Sequence, residues 1–162
     1  MNEPLEAENL ERPCGQLAAA RVLVVDDNHD AAESTALLLR LSGWEVELAY
    51  DGPATLKAAL AFRPDAVLLD LGLPVMDGYE VARRLRAQPF GERLVIVAAS
   101  GYGQEHDRRR SAEAGFDDHL VKPLDTSRLT ETLAALCLAR RSGDPETGRE
   151  TMRPVPNKQL TE

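Results

Sequence analysis

The sequence predicts an α/β fold with one parallel sheet covered by helices on both faces. Short apolar, β-branched runs, RVLVV at 21–25 and LVIVA at 94–98, have the continuous apolar character of strands buried on both sides. Longer stretches with helical spacing separate these runs, so strand and helix alternate along the chain. Gly, Pro and Ser-Gly punctuate the joins.

In chain order, 21–25 is the first strand. A helix follows over 29–41, with Ala31, Leu38 and Leu41 expected on its buried side and Ser42-Gly43 as its stop. Residues 44–49 alternate, with Val46 and Leu48 sharing a face, which suits a second strand near an edge. Gly52-Pro53 opens a helix to Phe62, the proline fitting its first turn. Pro64 precedes a third strand at 66–69, and Leu73-Pro74 forms a loop before a helix that starts at Asp77 or Gly78 and runs through Arg86. The fourth strand is 94–98. Gly101 and Gly103 lead to a polar helix over 104–114, which Gly115 ends. A short fifth strand occupies 116–121, and the last helix, 125–138, carries Leu129, Leu133 and Leu136 as its apolar stripe. Right-handed crossovers with an edge-like second strand give the doubly wound order 2-1-3-4-5. In such sheets the site lies beyond the carboxyl ends of the strands, where the order reverses.

The 162 residues suffice for one domain with a proper core and are too few for two ordinary ones. Residues 1–19 read as a mobile acidic leader, 20–138 as the folded domain, and 139–162 as a disordered polar tail or linker. A net charge of −8 disfavours a nonspecific nucleic-acid partner and an anionic membrane surface. The two cysteines, Cys14 and Cys137, suggest neither a disulfide framework nor a metal site. The acidic start lacks a signal-peptide pattern, and no apolar run is long enough to span a bilayer, so a cytoplasmic setting is expected.

The chemistry gathers at one rim. The first strand ends in Asp26-Asp27, the third in Asp70, the fourth near Ser100 and the fifth in Lys122-Pro123. Carboxylates brought together repel strongly, and a divalent cation resolves the repulsion. Mg²⁺ suits such oxygen ligands, and with Lys122 it could hold a phosphoryl group against one carboxylate. Asp70 would then be the nucleophile toward phosphorus, with Ser100 donating to an equatorial oxygen.

Asp26-Asp27, Asp70 followed by Leu-Gly-Leu-Pro-Val-Met-Asp-Gly (71–78), Ser100-Gly101 and Lys122-Pro123 resemble the signature of response-regulator receiver domains, in order and at the usual spacing. The likeness extends to receivers of hybrid histidine kinases and to stand-alone regulators. It implies a flavodoxin-like fold and a phosphorelay role, with Asp70 as phosphoacceptor. Asp27, Asp70 and the Gly72 carbonyl would bind Mg²⁺ directly, with Asp26 acting mainly through water. Ser100 and Lys122 would take the phosphoryl group, and the Lys122–Pro123 bond would be cis. A histidine kinase or histidine phosphotransfer protein would be the donor, and an unnamed protein the downstream partner. One position departs from the family: the residue three before the lysine, usually an aromatic that turns inward on activation, is His119. That leaves His119 and Tyr102 as alternatives for the moving ring.

Bland readings stand beside these. Asp26-Asp27 could be a helix-cap cluster, Lys122 a solvated lysine, and Ser100-Gly101 simple turn chemistry. Asp77-Gly78 reads as turn and cap, Trp44 as packing, and Arg108-Arg109-Arg110 as a solvated helix face or else a docking patch. A Mg²⁺ phosphohydrolase would carry its nucleophile on the first strand with a second Asp two residues on, which is not the pattern here. A dinucleotide binder would need a Gly-rich turn after the first strand. A scaffold that is never phosphorylated would not need the full set of site residues. The expected activity is therefore signalling, with catalysis limited to the chain's own phosphorylation and dephosphorylation.

Overall fold

A computed structural model describes residues 20–101 and 105–141. Strands β1 (Arg21–Val25), β2 (Glu45–Ala49), β3 (Ala66–Asp70), β4 (Val95–Ser100) and β5 (Asp118–Val121) form one parallel sheet in the order β2-β1-β3-β4-β5. Val24 aligns with Leu48 on one side and Leu68 on the other, Leu69 with Ala98, and Ala99 with Leu120. The predicted topology therefore holds, with β2 and β5 at the edges.

Helices α1 (His29–Leu41), α2 (Gly52–Phe62), α3 (Gly78–Arg86), α4 (Glu105–Ala114) and α5 (Thr126–Arg141) cover both faces. Successive strand residues point to opposite layers. Val22 and Val24 pack with Ala36, Leu39, Leu129 and Leu133 under α1 and α5. Leu23 and Val25 pack with Ala59, Val81, Leu85 and Ala114 under α2, α3 and α4. Four helix starts are fixed by side chains that accept otherwise orphaned N–H groups: Asn28 from Ala31, Asp51 from Ala54, Asp77 from Glu80, and Asp125 from Ser127 and Arg128. Asp77 is thus a cap, as expected, and Trp44 is buried.

Several expectations shift. The buried stripe of α1 is Ala32, Ala36 and Leu39, whereas Leu38 and Leu41 are 42% and 76% exposed. Both sets have helical spacing, and size decides between them: small alanines at 32 and 36 let the helix backbone settle close to the sheet. Strand β4 begins one residue later and ends two later than predicted. Strand β5 loses Phe116 and Asp117 at its start, because Phe116 turns to pack edge-on against Tyr79 and Asp117 accepts from the Ile96 N–H at 2.9 Å. Helix α5 continues past 138 to Arg141. Arg140, expected in the polar tail, donates instead to the carbonyls of Glu92 at 2.7 Å and Leu94 at 3.0 Å and pairs with Asp117. That anchor makes the last turn part of the domain. The leader 1–19, Tyr102 and the remainder of the expected tail, 142–162, lie outside the described residues.

Candidate functional site: an acidic pocket at the carboxyl rim

Four of the five strands deliver the site. Asp26 and Asp27 leave β1, Asp70 closes β3, Ser100 closes β4 and Lys122 follows β5. The parallel register makes this unavoidable: with Asp70 paired to Ala99, and Ser100 to Val121, the functional side chains emerge at one level of the sheet. Gly78 lets the start of α3 lie against that level, since a Cβ there would stand 2.8 Å from both the Asp70 carbonyl oxygen and the Leu71 Cα.

One carboxylate oxygen from each of Asp26, Asp27 and Asp70 lies within 4.8 Å of the others. Lys122 Nζ donates to Asp26 Oδ2 at 2.9 Å and stands 3.5 Å from Asp70 Oδ2. The backbone N–H of Asn28 donates to Asp26 Oδ1 at 3.0 Å, and that of Gly72 to Asp70 Oδ1 at 3.1 Å. Asp26 is buried and Asp27 exposed, with Asp70 between them. The Lys122–Pro123 peptide is cis, as the resemblance implied. Beside Asp26, Asp70 and Lys122 opens a cavity of about 280 Å³, bordered by Thr35, Leu38 and Pro123. The side of Leu38 that misses the core therefore faces the site.

Electrostatics follow from this crowding. Burial pushes the Asp70 carboxyl upward; the Gly72 N–H and Lys122 pull it down, Asp26 pushes it up again, and the net direction is upward. For Lys122, burial alone would lower the pKa, but the hydrogen bond to Asp26 and the fields of Asp70 and Asp26 outweigh it, and the ammonium is held above its ordinary value. One lysine thus faces three carboxylates that remain short of positive charge. Oxygen donors alone, clustered with excess negative charge, are the set a hard divalent cation selects. Gly72 reaches the cluster through its N–H on Asp70.

Ser100 and His119 stand at the next position along the rim. His119 is buried, with Nε2 2.8 Å from Ser100 Oγ and Nδ1 3.5 Å from Ser111 Oγ on α4. Ser111 had no sequence signal, being one small polar residue within a polar helix. Arg110 of the basic run lies over the Tyr79 ring, 4.0 Å from its centroid, so that part of the run is more than a solvated face. His29 is exposed and stacks on Tyr50 with ring centroids 3.6 Å apart.

A doubly wound parallel sheet with this carboxylate-and-lysine pocket at its carboxyl rim defines a class of signalling module. The family model described as "Response regulator receiver domain" matches residues 22–134, and the chain belongs to that family, whose members act in two-component signalling. The chain is 40% identical over 136 residues to transcriptional regulatory protein PrrA of Mycobacterium tuberculosis, covering 84% of this chain and 57% of that protein. It is 38% identical over 134 residues to response regulator MprA of the same species, covering 83% and 56%. The chain thus spans little more than half the length of these relatives. Among solved structures, the receiver domain of sensor histidine kinase PA1611 from Pseudomonas aeruginosa is similar with a TM-score of 0.68 and 34% identity, covering 74% of this chain and 98% of that one. That structure has a magnesium ion coordinated in its active-site cleft. Chemotaxis protein CheY4 of Vibrio cholerae is similar with a TM-score of 0.70 and 30% identity, covering 72% and 98%. The acidic charge of this chain describes its own surface, and the longer relative PrrA is named a transcriptional regulatory protein. Among the described residues, no helix is long and apolar enough to cross a membrane.

Proposed function

We propose that this receiver accepts a phosphoryl group on Asp70 from a phosphohistidine donor, a histidine kinase or a histidine phosphotransfer protein, and passes the signal to a downstream protein in the cytoplasm. The carrying observation is the position of Asp70, 3.5 Å from the Lys122 ammonium and clustered with two further carboxylates at the carboxyl rim. An Asp70 carboxylate oxygen attacks phosphorus, the P–N bond of phosphohistidine breaks, and the departing imidazole keeps that electron pair. The acyl phosphate is later hydrolysed by water, so the only turnover is the chain's own.

Asp27, Asp70 and the Gly72 carbonyl would hold Mg²⁺, with Asp26 acting through water. When bound, the ion supplies the positive charge that lets an anionic donor approach an anionic pocket and that neutralises the phosphoryl oxygens. Lys122, already 3.5 Å from Asp70, takes a second phosphoryl oxygen, which requires it to loosen its contact with Asp26. Ser100 donates its hydroxyl proton to a third, and His119 behind it occupies the switch position.

Transfer from a ³²P-labelled phosphohistidine protein tests the reading. Alkali-labile, hydroxylamine-sensitive label on this chain is expected with Mg²⁺ and is expected to vanish in excess chelator. Label that persists unchanged in chelator would overturn the metal role.

A further inference from the structure

The contact behind Ser100 was not foreseen from the sequence. Resting on the phosphoacceptor reading above, we propose that Ser100, His119 and Ser111 form a hydrogen-bonded relay whose direction reverses when Asp70 is phosphorylated. The signal would then reach α4 as a change of His119 tautomer, without a ring having to swing.

The geometry supplies the links. His119 projects from β5 into the interior and is 3% exposed. Its Nε2 is 2.8 Å from Ser100 Oγ, at the end of the strand beside the one that carries Asp70. Its Nδ1 is 3.5 Å from the Oγ of Ser111, which is fully buried on α4. One imidazole therefore connects the rim of the pocket to the helix that covers β5.

Proton counting supplies the switch. A neutral imidazole has one N–H donor and one lone-pair nitrogen, and each serine hydroxyl has one proton to give. In the resting state the relay requires, Ser100 gives its proton to Nε2, and Nδ1 carries the ring proton and faces the Ser111 oxygen. A phosphoryl group on Asp70 presents oxygens that only accept, so Ser100 turns its proton to it. Its oxygen now meets Nε2 with lone pairs, which demands a proton on Nε2. Nδ1 becomes the acceptor, and Ser111 reverses its O–H toward it. The balance is one proton removed from Nδ1 and one added at Nε2 by exchange, with no change in charge and no oxidant or reductant. An inward Phe could fill the same volume but could not carry this exchange. His119 is thus a positioning residue, acting on the phosphoryl group through Ser100.

The test uses the full chain with ¹⁵N-labelled histidine, with and without Mg²⁺ and beryllofluoride, an inorganic mimic of a phosphoryl group on a carboxylate. His29, His106 and His119 are the three histidines, and a His119→Gln spectrum assigns the third. The expected result is a proton on Nδ1 without beryllofluoride and on Nε2 with it. An unchanged tautomer, or an imidazolium in the loaded form, overturns the relay. Beryllofluoride affinity gives the second arm. His119→Phe is expected to weaken it roughly tenfold, the scale of one charge-assisted hydrogen bond, while His119→Gln, which can place an N–H near the position of Nε2, stays within about threefold of the parent. If His119→Phe binds beryllofluoride like the parent, the ring only fills space and the relay fails; equal losses in both variants also overturn it, because a restored N–H donor then recovers nothing. Failure of the parent to bind beryllofluoride, together with failure of Asp70 to label, refutes the phosphoacceptor reading on which the relay rests; binding and labelling with an unmoved His119 refute the relay alone.

Discussion

The carboxyl rim of the sheet gathers three carboxylates, Asp26, Asp27 and Asp70, around one ammonium, Lys122. The amino rim gathers one carboxylate, Asp117, between two guanidiniums, Arg86 and Arg140. Asp117 is fully buried, and one of its oxygens takes Arg86 Nη2 at 2.8 Å and the Ile96 N–H at 2.9 Å. Arg86 gives its remaining donors to the carbonyls of Gly115 and Gly91, at 2.9 Å and 2.6 Å from Nε and Nη1, and to that of Leu94. At this end positive charge exceeds negative, and the surplus is absorbed by carbonyl dipoles. It ties α3, α5 and the strand starts together. At the other end negative charge exceeds positive, Asp27 stands in solvent, and the deficit is left for a ligand to fill. A balanced, closed cluster serves stability; an unbalanced, open one serves binding.

The largest effect that separates the two belongs to function. Asp70→Asn is expected to reduce phosphoryl labelling to background while circular dichroism and the unfolding transition stay cooperative. A variant that labels like the parent would remove Asp70 from its role and take the meaning of the carboxyl-rim cluster with it. Next comes the amino rim. Asp117→Ala leaves Arg86 and Arg140, whose side chains are 15% and 9% exposed, without their carboxylate. Denaturant unfolding is expected to show a loss of about 3–5 kcal/mol. A loss below about 1 kcal/mol would mean that the carbonyl contacts alone hold this end.

The two ends also differ in how far the sequence announced them. The acidic pocket was legible because its residues fall at strand ends, and a parallel sheet must bring strand ends to one rim. Asp27, Asp70 and Lys122 needed no tertiary detail beyond the order of alternating elements. The arginine clasp was not legible. Arg140 sits in a polar stretch that composition assigns to a tail, and nothing local distinguishes it from Arg141. Its partner Asp117 is 23 residues away and became visible only when β5 proved two residues shorter than its apolar pattern. The α1 stripe failed for a related reason: two sets of apolar residues share the helical period, and only the sheet surface chooses between them. Ser111 failed because a hydroxyl in a polar helix has no distinguishing pattern until the buried ring beside it is placed.

A smaller effect reverses sign between the ends. Because the folded-state pKa of Asp70 is raised, chiefly by burial, folding favours its protonated form. Its contribution to stability is full below the unfolded carboxylate pKa and is lost as pH rises through the folded value. In the absence of Mg²⁺, Asp70→Asn is therefore expected to be more stable than the parent at pH 7, with a margin that shrinks as the pH falls into the carboxylate range. Lys122 keeps its 2.9 Å contact with Asp26, so the variant leaves no buried cation alone. Thermal unfolding at a series of pH values checks this. A variant less stable than the parent at pH 7 would mean that the Lys122–Asp70 attraction outweighs desolvation, and that both clusters are stabilising.

The smallest effect lies in the loops. Gly115, next to the arginine clasp, has φ +104° and a Cβ position only 2.9 Å from Arg86 Cγ, so glycine answers both the backbone and the space. The loop that follows Asp70 answers neither demand with glycine at its tightest point. Val75 has φ +67°, a conformation in which a β-branched side chain is strained, and it is 93% exposed, so no burial compensates. Asn tolerates the left-handed region and, unlike Gly, adds little freedom to the unfolded chain. Val75→Asn is accordingly expected to stabilise the domain by about 1 kcal/mol in denaturant unfolding. The functional rim would then hold a β-branched residue in the left-handed region, where the amino rim places the unbranched Arg63 at φ +53°. If Val75→Asn stabilises the fold yet slows labelling of Asp70, that strain holds the Gly72 segment in its working position. If it stabilises with labelling unchanged, the strain is incidental, and the contrast between the rims is one of charge alone.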